Sequence, residues 1–118
     1  MDPIRTQVTD ARLERIYLAF ELLRLRDREM PGQVACTFFY VASHDGCHKQ
    51  ALEQDLNMTT ASASRNTDLL SKGRKGRGAQ GLGLITKGKD PENGRRQVLR
   101  LTLLGKDLAQ MIKQTIYG

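Results

Sequence analysis

Ser62, Ser64 and Arg65 sit near the start of a helical stretch that opens at Thr60, and Lys89, Arg95 and Arg96 flank the turn between two strand-like runs. Hydroxyl and guanidinium groups in such places suit a polyanion better than a reaction. Small hydroxyl side chains at the N-terminus of a helix let the backbone come close to a duplex and donate to phosphates or base edges. An arginine on the same face can hold both acceptors of a guanine, which is worth ~1–3 kcal/mol of discrimination. An arginine at a turn tip suits the narrow, electronegative minor groove of A·T tracts. The plainer readings are that Thr59 and Thr60 only cap a helix, that the serines are solvated, and that the turn faces water.

Other groupings carry less. Cys36, His44, Cys47 and His48 lie close in sequence and could ligate zinc, but the spacing His-x-x-Cys-His is not that of a usual finger, and a structural zinc needs four converging ligands. A core cysteine and surface histidines are the reading adopted. Cys47, in a turn, is expected to be more exposed than Cys36, yet redox reactivity needs a lowered pKa that spacing does not provide. Gly76-Arg77-Gly78-Ala79-Gln80-Gly81 spells GxGxxG, but it follows a helix rather than a strand and opens no long helix. No nucleophile, base and acid stand in a catalytic pattern. The chain reads as a non-enzyme without a cofactor.

Charge points to the same partner. The 118 residues carry 19 Lys/Arg against 13 Asp/Glu, a formal net charge of +6. Residues 1–58 hold 7 basic and 9 acidic side chains; residues 59–118 hold 12 and 4. Solubility alone does not require such segregation, whereas a polyanion-binding face does. With 39% hydrophobic and 27% charged residues, a disordered tail, a collagen-like chain and a disulfide miniprotein are excluded. No run approaches the ~20 apolar residues of a membrane span, so no membrane partner is expected. The N-terminus has no basic segment followed by an apolar run, and the two cysteines read as reduced thiols, so the expected compartment is the cytoplasm.

These groups need elements to position them. Apolar spacing through Leu13, Ile16, Tyr17, Phe20 and Leu23 predicts a helix over 9–27, capped by Thr9 or Asp10. Residues 33–43 have strand-like composition but the length and spacing of a buried helix, with Phe38, Phe39 and Tyr40 as core anchors. Two short helices, 48–56 and 60–72, joined over Asn57-Met58-Thr59, make a helix-turn-helix. Ala63, Thr67 and Leu70 face inward on the second, leaving Thr60, Ser62, Ser64 and Arg65 outward. Residues 73–83 hold five glycines with Arg74, Lys75 and Arg77 and no acid, a flexible basic stretch able to follow a phosphate backbone or simply to link. Runs 84–87 and 97–101 read as strands around Asp-Pro and Asn-Gly turn chemistry. Residues 103–117 read as a last helix with Leu104, Leu108, Met111, Ile112 and Ile116 apolar. The order predicts one domain over 1–118, mainly α with a small β-hairpin wing (84–101): an α+β winged helix-turn-helix.

Four stretches, in order, resemble the MarR/SlyA family of bacterial transcription regulators. Residues 52–65 follow that family's helix-turn-helix line without a gap. Gly83-Leu84-Ile85 resembles the start of its first wing strand, Asp90 to Arg95 its wing tip, and Leu101-Thr102-Leu103-Leu104-Gly105 the start of its last helix. The resemblance covers about residues 33–112. Asn93 stands where the family's wing usually has aspartate, the stretch near 73–82 is an insertion, and the chain is short at both ends. The resemblance implies double-stranded DNA as partner, the 60–72 helix in the major groove, and Arg95 in the minor groove. It also implies a homodimer and, for the family, small-molecule effectors; no ligand is identified here. The wide apolar faces of 9–27 and 103–117, through Leu13, Ile16, Tyr17, Phe20, Leu108, Met111 and Ile112, are the candidate dimer surface, packing within the domain being the other use for them. The expected role is transcriptional regulation, as a repressor. A sequence-neutral architectural or RNA-binding protein and a winged-helix adaptor for another protein are the alternatives.

Overall fold

The computed structural model describes residues 6–73 and 80–118. Helix α1 (Ala11–Arg24) starts where the Asp10 carboxylate accepts the backbone N–H groups of Arg12 and Leu13, both at 3.0 Å. It is shorter than 9–27 at both ends. Helix α2 (Gly32–Ser43) follows Pro31, whose extended backbone turns the chain into it. Its spacing decides the ambiguity of this run. Val34, Ala35, Thr37, Phe38 and Val41 are all buried, and the Thr37 hydroxyl donates to the Gln33 carbonyl at 2.7 Å, as a β-branched polar residue must when a helix is interred.

The three aromatics of α2 divide the work. Phe38 is fully buried, Phe39 meets Phe20 of α1 edge-on at 5.4 Å, and the Tyr40 hydroxyl donates to Asp55 Oδ2 at 2.7 Å. That bond to a carboxylate, with burial, pushes the Tyr40 phenol up to about 12.

The helix-turn-helix follows as α3 (Lys49–Asp55) and α4 (Thr60–Leu70). Asn57 between them takes φ 52°, a left-handed conformation that asparagine tolerates better than most residues. Thr59 caps α4 by accepting the Ser62 N–H at 3.1 Å. Helix α4 ends at Leu70, two residues before the expected end, where the chain turns through Gly73 at φ 83°.

The wing is a hairpin of β2 (Ile85–Lys89) and β3 (Gln97–Leu101), antiparallel from Ile85↔Leu101 to Lys89↔Gln97. A two-residue strand, β1 (Cys47–His48), pairs with the other edge of β3, giving the order β1-β3-β2. The sequence suggested only a turn at its first residue. Helix α5 (Leu103–Tyr117) starts on a threonine cap: Thr102 Oγ1 accepts the Gly105 N–H at 3.0 Å and donates to the Gly83 carbonyl at 2.6 Å.

The core runs from α2 through α4 and the sheet to α5. Leu52, Ala63, Leu70, Leu84 and Leu99 are fully buried. Two expectations are corrected here. Leu108 and Ile112, assigned to a dimer surface, are 3% and 4% exposed and belong to the chain's own core, because α5 uses that stripe to pack on α1 and α2. Cys36 is exposed and Cys47 half-buried, the reverse of the expectation. The helical phase that buries Ala35 and Thr37 turns Cys36 outward, and strand pairing covers Cys47.

Helix α1 packs along α5 but leaves much of its apolar surface bare. Only Ala19 and Leu23 are buried along it, while Leu13, Ile16, Tyr17, Leu18 and Phe20 are 41–64% exposed.

Candidate nucleic-acid interface

Helix α4 is set by its inner face. With Ala63, Thr67 and Leu70 all fully buried, Thr60, Ala61 and Arg65 are exposed and Ser62 and Ser64 half-exposed. The Ser62 hydroxyl accepts from Thr59 Oγ1 at 3.1 Å and from Arg65 Nη2 at 3.3 Å, so Arg65 lies back along the first turn. Asn66 is buried, its amide 3.4 Å from both Gln33 Oε1 and Met58 Sδ, and locks the turn between the helices.

Thr60 has a second duty. Its hydroxyl donates to Glu53 Oε1 at 2.8 Å, while Glu53 Oε2 accepts from Lys49 Nζ at 3.0 Å. Lys49 is 7% exposed and also reaches the Thr60 carbonyl at 3.4 Å. Burial opposes ionisation of Glu53, but its bonds to Lys49 and Thr60 outweigh that, and the carboxyl is held below its usual range. The cluster ties the first turn of α4 to α3.

The wing tip is ordered by main-chain and carboxylate bonds. The Asp90 N–H donates to the Arg96 carbonyl at 2.9 Å, and the Arg96 N–H to the Asn93 carbonyl at 3.0 Å. Asn93 Oδ1 accepts the Arg95 N–H at 3.2 Å. Asparagine thus holds the backbone of the wing arginine and leaves its side chain exposed, as is that of Arg96. Asp90 Oδ1 accepts the Glu92 N–H at 2.9 Å and Oδ2 pairs with His48 Nε2 at 2.8 Å. The Glu92 N–H and then His48 lower its carboxyl pKa. Between β2 and α4, Lys87 Nζ meets Asp68 Oδ1 at 2.7 Å.

Lys49, Gln50, Glu53 and Thr60 face Lys89, Arg95, Arg96 and Gln97 across a groove of about 360 Å³. The fold therefore brings Thr60, Lys89, Arg95 and Arg96 together. Ser62, Ser64 and Arg65 lie farther along α4, off the groove wall. Arg74, Lys75 and Arg77 lie outside the described residues. The sequence reading missed Lys49, Gln50 and Glu53, and, though it named His48 and Asp90, it missed that they pair. An i,i+4 Lys49–Glu53 pair was visible, but the His48–Asp90 pair spans 42 positions and has no local signature.

The remaining groupings do not make a reactive centre. His44 stacks on Tyr40 with centroids 4.3 Å apart, and its Nδ1 is 3.0 Å from the Tyr40 carbonyl. The Cys47 thiol is pushed up by burial. Among the described residues no cluster of three His, Cys, Asp or Glu is placed to hold a metal ion, and no helix is long and apolar enough to cross a membrane. Between α2 and α5 lies a cavity of about 550 Å³, lined by Phe38, Phe39, Ala42, Ile112 and Ile116 with Lys106 and Lys113.

No family model and no curated protein matches the sequence. Solved structures do. A crystal structure of MarR is 20% identical, with a TM-score of 0.62 over 88% of this chain and 67% of its own. The PcaV transcriptional regulator from Streptomyces coelicolor, in complex with its natural ligand, is 18% identical, with a TM-score of 0.60 over 99% and 79%. A structure of reduced AbfR bound to DNA is 10% identical, with a TM-score of 0.62 over 89% and 67%. Among the described residues, five helices and a three-stranded antiparallel sheet in this order give the chain the winged-helix fold that these solved structures, MarR among them, share.

Proposed function

We propose that this protein is a transcription regulator that binds double-stranded DNA as a homodimer, and that it acts as a repressor by occupying its site. Helix α4 enters the major groove, with Ser62, Ser64 and Arg65 toward base edges and phosphates. The wing lies along the adjacent minor groove and delivers Arg95, with Lys89 and Arg96 on phosphates. Arg74, Lys75 and Arg77 add backbone contacts. The observation that carries the reading is the cationic wing standing across a groove from the first turn of α4. Nearby Glu53 and Asp68 are each paired with a lysine, so they offset little of that charge.

The dimer rests on the exposed apolar row Leu13, Ile16, Tyr17 and Phe20 of α1, with Met111 of α5. A row of that size is costly to leave in water and is covered by a second copy. Two copies place two α4 helices about one helical turn of DNA apart, ~34–36 Å, and read a pseudo-palindrome. The cavity between α2 and α5 is the place for a small-molecule effector.

The test is a matched-salt titration of a selected duplex by Arg65→Ala and Arg95→Ala. Loss of a bidentate base contact at Arg65 weakens specific binding by about 5- to 150-fold. Arg95→Ala weakens binding without lowering Tm, because its side chain is solvent-exposed. Unchanged affinity in both variants would remove the helix and the wing from the interface.

A further inference from the structure

His48 stands at a junction. It pairs with Val98 as the last residue of β1 and directly precedes α3, so it belongs to the helix-turn-helix side of the groove. Asp90 directly follows β2 at the neck of the wing and belongs to the other side. The Nε2–Oδ2 contact of 2.8 Å is a side-chain bridge between the two at the neck of the wing, beside the Lys87–Asp68 ion pair that ties β2 to α4. The same Asp90 carboxylate orders the turn through the Glu92 N–H, and the Asp90 N–H closes the neck on the Arg96 carbonyl. Whatever moves Asp90 therefore moves the segment that carries Arg95 and Arg96.

The imidazole is half-exposed, with its side chain 36% accessible. Next to the pair in the chain, Lys49 and Glu53 of α3 and Lys89, Arg95 and Arg96 of the wing line the groove, Glu92 donates its N–H to Asp90, and Arg100 of β3 lies against Gly46. Among these neighbours the Glu53 carboxyl, despite burial, is held below its usual range by Lys49 and Thr60, and the Cys47 thiol is raised by burial. A response in the window between about pH 6 and 8 belongs to histidine.

We propose that the His48–Asp90 contact is a pH-dependent latch that fixes the wing against the helix-turn-helix, closed when His48 is protonated and loosened when it is neutral. The sign follows from the partners. Asp90 stays ionised throughout the window, so the charge-assisted bond exists below the imidazole's titration and weakens to a neutral hydrogen bond as pH rises through it. A closed latch pre-orders Arg95 and Arg96, so DNA binding tightens as pH falls. The effect on DNA rests on the DNA-binding reading above; the latch itself does not.

Two measurements separate them. In the free protein, the backbone amide resonances of Glu92 and Asn93 follow the titration of the His48 ring in NMR, and cease to follow it in Asp90→Asn. Asparagine keeps an acceptor for the Glu92 N–H but removes the counter-charge. In DNA titrations at constant ionic strength, wild type binds about two- to five-fold tighter per wing at pH 6 than at pH 8, the size of a partly exposed ion pair. His48→Gln, whose amide still donates to Asp90, binds with the same affinity at both, and His44→Gln keeps the wild-type response. If Asp90→Asn retains the pH response of DNA binding, the imidazolium acts directly on phosphate and the latch is overturned. If the Glu92 and Asn93 amides ignore His48 in the free protein, it is overturned whatever DNA does. If the amides follow His48 but no duplex is bound at either pH, the latch stands and the DNA-binding reading fails.

Discussion

Replacing Gly105 by alanine tests how α5 is joined to the wing. Gly105 is buried in the first turn of α5, and a Cβ built on it overlaps the Leu84 carbonyl oxygen and comes within 3.2 Å of the Leu101 side chain. Neither neighbour can yield easily. Leu84 is fully buried, and its carbonyl accepts the Thr102 N–H at 3.0 Å, the bond that turns β3 into α5. Restoring an ordinary contact would require the helix to withdraw by about 1.4 Å, stretching that bond. Overpacking against backbone costs ~1–3 kcal/mol. Loss of the Thr102 bond adds ~0.5–1.5 kcal/mol. Alanine's advantage over glycine in a helix returns only ~0.5–1 kcal/mol. The net destabilisation is ~0.5–4 kcal/mol, centred near a fall in Tm on the order of 10 °C for a domain of this length. Gly88→Ala is the control, because nothing lies within 4 Å of a Cβ there. Thermal unfolding followed by circular dichroism, at equal protein concentrations, reads both. A Gly105→Ala protein within 2 °C of wild type would show that the close approach of α5 to the sheet is not as described.

The other expectations concern the helix-turn-helix and the apolar face. Glu53→Gln leaves the buried Lys49 without its counter-charge, which costs ~1–3 kcal/mol in chemical denaturation. Because the Glu53 carboxyl is held below its usual range, its contribution is present at neutral pH and lost as pH falls through the low end of the carboxylate range. Wild-type Tm therefore declines more steeply in acid than that of Glu53→Gln; parallel profiles would refute the assignment. Ile16→Glu, at an exposed position on α1, yields a monomer by sedimentation and weakens binding to a two-half-site duplex at least about tenfold, since the two half-sites are no longer linked. A dimer that persists in this variant would place the interface elsewhere.

What could be read from the sequence was what local periodicity encodes. The α2 run looked like a strand by composition and a helix by spacing, and spacing decided it, because burial on several sides selects apolar residues whatever the backbone does. The start of α5 was legible as Leu-Thr-x-x-Gly, and the structure supplies its physics: Thr102 caps and Gly105 permits contact with Leu84. Long-range pairing was not legible. Strand β1 is two residues long and exists because β3 has a free edge 50 positions away, so no alternation could announce it. Helix α5 presents more than one apolar stripe, and the sequence does not say which packs on its own chain; Leu108 and Ile112 went inward and Met111 stayed out. The polar ties between the wing and the helix-turn-helix, His48 to Asp90 and Lys87 to Asp68, likewise join residues whose proximity only the folded chain creates.

The measurement that bears most directly on the account is selection of bound sequences from a random duplex pool at near-physiological salt. The account predicts enrichment of a pseudo-palindrome with half-sites about one helical turn apart, with A·T-rich flanks where Arg95 enters the minor groove. Retention without enrichment would mean that phosphates alone are bound, and no retention even at low salt would contradict DNA binding altogether.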